Sequence, residues 1–187
     1  MARGIDHVVI GVRDLARASA DYAALGFTVT PGGEHAGGAT HNALVSFTDG
    51  TYLELIAFTE PDRPQDHRWW DKIAAGGGLV DFALCSDDVA ADAARLEGAG
   101  VSGAAVQEGG RLRPDGQRVG WRNLVVDHPA APLPFLIEDV TPRELRVPGG
   151  AAAEHPLGVS GVAGLSLVVA DRDAAAAAFA AFLGTPG

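Results

Sequence analysis

His7 and Glu54 are the two residues whose chemistry fits least well with their surroundings. His7 sits in Gly4-Ile5-Asp6-His7-Val8-Val9-Ile10-Gly11-Val12, and Glu54 in Thr51-Tyr52-Leu53-Glu54-Leu55-Ile56-Ala57-Phe58. Both runs are apolar and rich in β-branched residues, and both alternate with period two, so each reads as a strand. A carboxylate in such a strand is costly to bury unless it is paired. An imidazole and a carboxylate on strands of one sheet can hold a divalent ion through open positions, or move a proton. His41 opens the strand at residues 40–47. With Asp49-Gly50 as a two-residue hairpin turn, Val45 pairs with Glu54 and His41 with Phe58. His41 then shares a face with Glu54, and the two are the candidate catalytic pair. Arg118 and Arg122 share a face of a later strand beside Trp121, an arrangement suited to an anionic or flat substrate. The bland reading of those arginines is a solvated hairpin.

These residues need a scaffold, and the chain offers one twice. Asp14 caps a helix carrying Leu15, Ala18, Tyr22 and Leu25, and Gly26 closes it. A short strand at 27–30, a glycine-rich loop at 31–38 and the hairpin follow, giving β-α-β-β-β. Residues 61–77 are a connection with Arg68-Trp69-Trp70, which reads as a packed plug. The order then restarts with a strand at 79–86, a helix capped by Asp88 and ended by Gly98 or Gly100, and strands at 101–106, 117–126 and 133–140. Asp14 to Gly26 and Asp88 to Gly100 both span 12 positions, and such repetition is a fold-level signal. An offset of 74 carries Asp14 to Asp88 and also His7 to Asp81. The expected organisation is a first module at 1–60, a second at 78–140, a linker or arm at 141–160 and a partial third β-α unit at 161–187. That last unit, with an apolar strand at 162–169 and a helix carrying Phe179 and Phe182, must dock on its own sheet or across a homodimer interface.

Composition narrows the function. A net charge of -10 is the wrong sign for a phosphate-neutralising nucleic-acid face or for an anionic membrane surface. No apolar run approaches the roughly 18–20 residues of a membrane span, and the first residues lack a signal-peptide core. The single cysteine, Cys85, sits in an apolar run and reads as an inert buried thiol rather than a disulfide partner or nucleophile. The expectation is a cytoplasmic protein with a small-molecule partner. His35, His67 and His128 read as loop or surface residues. Gly98-Ala99-Gly100-Val101-Ser102-Gly103 has dinucleotide-fingerprint spacing but leaves a helix to enter a strand, the reverse of the order required.

Several stretches together resemble the vicinal oxygen chelate superfamily, in its glyoxalase-like branch. They are Ile5-Asp6-His7-Val8-Val9-Ile10, Gly26-Phe27, Gly33-Glu34-His35, Thr40-His41-Asn42, Tyr52-Leu53-Glu54-Leu55, Arg113-Pro114-Asp115-Gly116, Trp121-Arg122, Pro134-Phe135-Leu136-Ile137-Glu138 and His155-Pro156. The resemblance covers roughly residues 4–170. It implies an α+β fold in which two βαβββ modules form a curved mixed sheet around a cavity. It also implies metal ligands from the first and last strands of each module, here His7, Glu54, Asp81 and Glu138. Asp81 departs from the His or Gln expected there. A bound Mn, Mg, Fe, Ni or Zn ion would polarise a substrate oxygen and stabilise an enolate-like anion. The activity so implied is that of a metal-dependent lyase, isomerase or dioxygenase on a small oxygen-rich molecule. The competing reading is a metal-free protein that sequesters a small molecule, since the superfamily fold serves both.

Overall fold

The computed structural model describes residues 4–101, 103–129 and 131–185. Residues 1–3, which carry the reading of the N-terminus, and Ser102 of the glycine motif lie outside them. The first module is β1 (Ile5–Gly11), α1 (Leu15–Ala24), β2 (Thr30–His35), β3 (Thr40–Ser46) and β4 (Tyr52–Phe58). After a short α2 (Trp70–Ala74), the second module is β5 (Gly78–Cys85), α3 (Val89–Gly98), β6 (Ala104–Leu112), β7 (Arg118–Val126) and β8 (Phe135–Asp139). The chain ends with α4 (Arg143–Arg146), a 3-10 turn (Gly150–Ala153) and α5 (Arg172–Leu183).

The helix starts have local causes. Asp14 accepts from the Arg17 amide, and Asp88 accepts from the amides of Ala90 and Ala91, satisfying donors that a helix N-terminus otherwise leaves open. The eight strands close into a barrel in the order β1-β4-β3-β2-β6-β7-β8-β5, the curved mixed sheet of a two-module α+β fold. β1 runs parallel to β4 and antiparallel to β5, which runs parallel to β8. The other seam, β2 against β6, explains part of the glycine-rich stretch. Residues 31–35 form a bulged strand rather than a loop. A Cβ on Gly33 (φ +130) would lie 1.9 Å from the Leu112 carbonyl oxygen, so the seam closes only with glycine there.

Alternation along the strands divides the apolar residues into two layers. Leu84, Leu124 and Leu136 point out of the barrel and pack with Val89 and Leu96 of α3 and Phe182 of α5. Val9, Ile56, Trp121, Phe135 and Ile137 form the other cluster, most of it turned inward.

Two expected features take another form. The β3–β4 hairpin turns through a three-residue loop, Thr48-Asp49-Gly50, closed by the Gly50 amide on the Phe47 carbonyl and the Phe47 amide on the Thr51 carbonyl. Gly50 supplies the positive φ, +86, that such loops need. Register therefore moves by one: His41 pairs with Ala57, and Leu44 with Glu54. Residues 162–169 form no strand among the described residues. A closed barrel has no free edge for them to join. The start of the segment instead lies at the β3–β4 hairpin tip, where the Ser160 carbonyl accepts from the Asp49 amide and the Val162 amide donates to Thr51 Oγ1, and Val169 at its end packs on the outer apolar cluster. Its helix does dock on its own chain: Phe182 is fully buried, and Arg95 of α3 donates to the carbonyls of Ala181 and Phe182.

Candidate functional site

Glu54 points into the barrel interior, where its carboxylate is held from three sides. Asn42 Nδ2 donates to Oε1 at 2.6 Å. His35 Nε2 lies 3.4 Å from Oε1, and His7 Nε2 lies 3.5 Å from Oε2. The register explains these neighbours. Val9 of β1 is the direct partner of Glu54, and Asn42 of β3 pairs with Ile56, the next inward residue on β4. Burial favours the neutral acid, but hydrogen bonds and charge from His35 and His7 outweigh it and hold Glu54 well below its ordinary value of 4.5. Burial likewise opposes charge on His7. Asp6, then Glu54, overcomes it and raises the imidazole above 6.5.

Asp6 carries the network beyond the barrel wall. Its Oδ1 lies 2.7 Å from His7 Nδ1, which orients the ring. His7 also stacks on Tyr52, with ring centroids 4.5 Å apart. Arg146 of α4, 1% exposed, donates to both Asp6 oxygens at 2.9 and 3.0 Å, to both Asp139 oxygens, and to the Tyr52 hydroxyl at 2.8 Å. Arg143 donates to Asp6 Oδ2 as well. The helix that follows the second module thus fixes the imidazole–carboxylate pair of the first. Of these groups His7, Tyr52, Glu54 and Arg146 face a cavity of about 280 Å³ with aromatic walls from Trp69, Trp121 and Phe135, and with Arg111 at its lining. Its size is near the lower end of small-molecule pockets. A wider depression of about 790 Å³ lies elsewhere, along Asp81, Val126 and Leu167. The buried His7–Glu54 pair does not face it.

The remaining sequence candidates fall in different places. His41 points away from Glu54, because the shifted register gives the inward positions to Thr40 and Asn42. Asp81 pairs in register with Val9, but its carboxylate accepts from Trp69 Nε1 at 2.9 Å and from Arg68, and it does not line the barrel cavity. Glu138 is on the outer face, accepting from the Val89 amide at 2.9 Å and from Arg122 at 2.5 Å. Arg122 goes outward with it, and Arg118 is exposed at the start of β7. Trp121, between them in sequence, faces the cavity. Parity accounts for Glu138. Val9 pairs with Glu54, and Ala83 pairs with Phe135. The offset of 74 that links the two caps links Val9 to Ala83, so Phe135 occupies the position of Glu54 in the second module. Glu138 is three residues further along, on the other face.

A four-ligand metal centre of His7, Glu54, Asp81 and Glu138 therefore does not fit the geometry. The two imidazoles address opposite oxygens of Glu54, and Asp81 and Glu138 are engaged elsewhere. No group of three or more His, Cys, Asp or Glu side chains among the described residues is arranged to hold a metal ion. Cys85 takes no part: burial, then the charge of Asp6, pushes its thiol up to about 11. Sequence reading missed His35, Asn42, Asp6 and Arg146. Asn42 and His35 follow from the correct hairpin register and from reading the 31–35 glycines as a bulged strand. Asp6 precedes His7 in an apolar strand, which is a signal in itself, whereas Arg146 has none in the local pattern.

The glyoxalase-like domain family matches residues 5–183. The sequence matches no curated protein. A hypothetical protein from Staphylococcus aureus superposes with a TM-score of 0.60 at 19% identity. The alignment covers 76% of this chain and 61% of that one, so this chain spans about three fifths of that protein. A single-substitution variant of Streptomyces coelicolor methylmalonyl-CoA epimerase, in complex with 2-nitronate-propionyl-CoA, superposes at 0.54 with 25% identity, covering 75% of this chain and all of that one. Methylmalonyl-CoA epimerase from Mycobacterium tuberculosis superposes at 0.51 with 18% identity, over 75% of this chain and 90% of that one. No helix among the described residues is long and apolar enough to cross a membrane. With two βαβββ modules around one cavity and a family match over nearly its whole length, the chain belongs to the glyoxalase-like domain family of the vicinal oxygen chelate superfamily.

Proposed function

We propose that this protein binds a small oxygen-bearing molecule inside the barrel and recognises it without a metal ion, through the carboxylate of Glu54. The observation that carries this reading is the set of three donors, Asn42, His7 and His35, that holds Glu54 ionised at the wall of an aromatic cavity. A carboxylate so stabilised is a weak base but a strong, fixed hydrogen-bond acceptor. It has four lone-pair sites for its protein donors and a ligand hydroxyl or N–H. Trp69, Trp121 and Phe135 supply the apolar contact. The test is a titration of small phenols and alcohols against the native protein in excess EDTA, followed by tryptophan fluorescence. Saturable binding that Glu54→Gln weakens supports the reading. Binding that appears only after a divalent ion is added, or none at all, counts against it.

A second reading, proton transfer by a lyase or isomerase of the superfamily kind, draws on one observation. Asp6 and Glu54 favour the protonated form of His7, which lies at the cavity wall and could donate to a developing enolate. An epimerase with a bound propionyl-CoA nitronate is among the proteins of similar fold. Exchange of a ligand C–H for deuterium in heavy water, lost in His7→Gln, separates catalysis from binding alone.

A further inference from the structure

His7, His35 and His67 all line the barrel cavity, and the first two are engaged with Glu54. His67 comes from the connection between the modules, where sequence reads it as a surface residue, yet it is partly buried and reaches the cavity wall. Its ring is held edge-on against Phe58 and Trp69, with centroids 5.3 and 5.1 Å away. Trp69 is itself anchored, since its Nε1 donates to Asp81 at 2.9 Å. The Trp69 backbone amide donates to His67 Nδ1 at 3.3 Å. A ring nitrogen that accepts carries no proton, so the neutral imidazole bears its proton on Nε2. Burial, then the charges of Arg68 and His35, holds the pKa of His67 below the ordinary 6.5, which favours that neutral form. Nε2 has no hydrogen-bond partner among the described residues. Unlike Arg111 Nε and Asn123 Oδ1, it is not shut away from the accessible surface.

Phe58 lies four positions beyond Glu54 on the same face of β4, roughly 13 Å at the strand rise. His67, packed on Phe58, therefore stands toward the other end of the cavity from Glu54. Building on the proposed binding role, in which Glu54 accepts from a ligand hydroxyl or N–H, we infer that His67 is a second recognition point whose Nε2–H donates to a carbonyl oxygen at the far end of the same ligand. The ligand class is a small flat molecule with a hydroxyl and a carbonyl at opposite ends, such as a para-acylated phenol. The two ends are not interchangeable. Ionised Glu54 takes only a donor, and neutral His67, with Nδ1 occupied, takes only an acceptor, so the pair fixes the ligand's direction in the cavity. Asp81, through Trp69, is a positioning residue for this end of the site.

The experiment uses the full chain in excess EDTA and three probes, 4-hydroxyacetophenone, 4-ethylphenol and 4-methoxyacetophenone, titrated by calorimetry. The first carries both groups, the second lacks the carbonyl and the third lacks the hydroxyl proton. The expected order is 4-hydroxyacetophenone tightest, with 4-ethylphenol weaker by about five- to tenfold. His67→Phe keeps an aromatic ring without a donor and abolishes that preference, which separates the carbonyl contact from the greater acidity of the acylated phenol. His67→Gln, with an amide N–H of similar reach, keeps part of it. Equal affinity for the two phenols in native protein, or an undiminished preference in His67→Phe, overturns the role of His67 and leaves that of Glu54 standing. If neither phenol binds, or if 4-methoxyacetophenone binds as tightly as 4-hydroxyacetophenone, the Glu54 reading fails and this inference with it. If His67→Phe does not fold, His67→Ala carries the same comparison.

Discussion

Arg146→Met tests whether the helix after the second module holds the first module's His7–Glu54 pair in place. The guanidinium is 1% exposed and makes five hydrogen bonds, two to Asp6, two to Asp139 and one to Tyr52. Methionine keeps much of the volume but leaves two carboxylates short of their donors. Removing one partner of a buried ion pair costs about 3–5 kcal/mol. Arg143 still reaches Asp6 and Asp139, and His7 still reaches Asp6, so the low end of that range, about 3 kcal/mol, is expected. For a chain of this length the loss corresponds to a fall in Tm of about 6–12 °C. Urea denaturation followed by far-UV circular dichroism measures it, with the slope checked for constancy. Loss of His7's orientation should appear separately, as a shift in the His7 ring resonances by NMR in the folded variant. A destabilisation below about 1 kcal/mol, with the His7 resonances unmoved, would refute the network as described.

Phe182→Ala should cost about 3–5 kcal/mol, because the ring is fully buried between α5 and the outer face of the barrel; an unchanged urea midpoint would mean that α5 is not docked. The pH dependence has two limbs. Glu54 is depressed on folding, so its stabilisation is present above about pH 4.5 and is lost as pH falls through the lower folded value. The stability gap between native protein and Glu54→Gln should therefore be constant near neutrality and shrink in acid. His7 is raised on folding, so its stabilisation is complete below about pH 6.5 and is lost as pH rises through the higher folded value. The gap to His7→Gln should shrink on the alkaline side, and a gap that grows there would contradict the assignment.

The frame of the molecule is legible in the sequence because its signals are local. Asp14 and Asp88 cap helices at the same place in two repeats, and the apolar runs around His7 and Glu54 alternate as strands should. The site is less legible because it depends on register. One residue in the hairpin loop decides whether His41 or Asn42 faces Glu54, and Gly50's left-handed backbone makes the loop three residues long rather than two. The parity of β8 works the same way, directing Phe135 inward and Glu138 outward. Residues 162–169 carry strand composition, but pairing needs an edge, and closure of the barrel removes it. Arg146 acts across the fold from a position far in sequence from His7 and Glu54, which no local pattern encodes.

The central claim is that Glu54 is satisfied by three protein donors and acts as an acceptor for a ligand, rather than as one arm of a chelate. It is tested most directly by equilibrium dialysis of chelator-free protein against Mn, Ni and Zn ions, with metal content read by mass spectrometry alongside His7→Gln and Glu54→Gln. The account predicts well under one equivalent of metal per chain, unchanged by either substitution. Tight binding of one equivalent, lost in both variants, would contradict it.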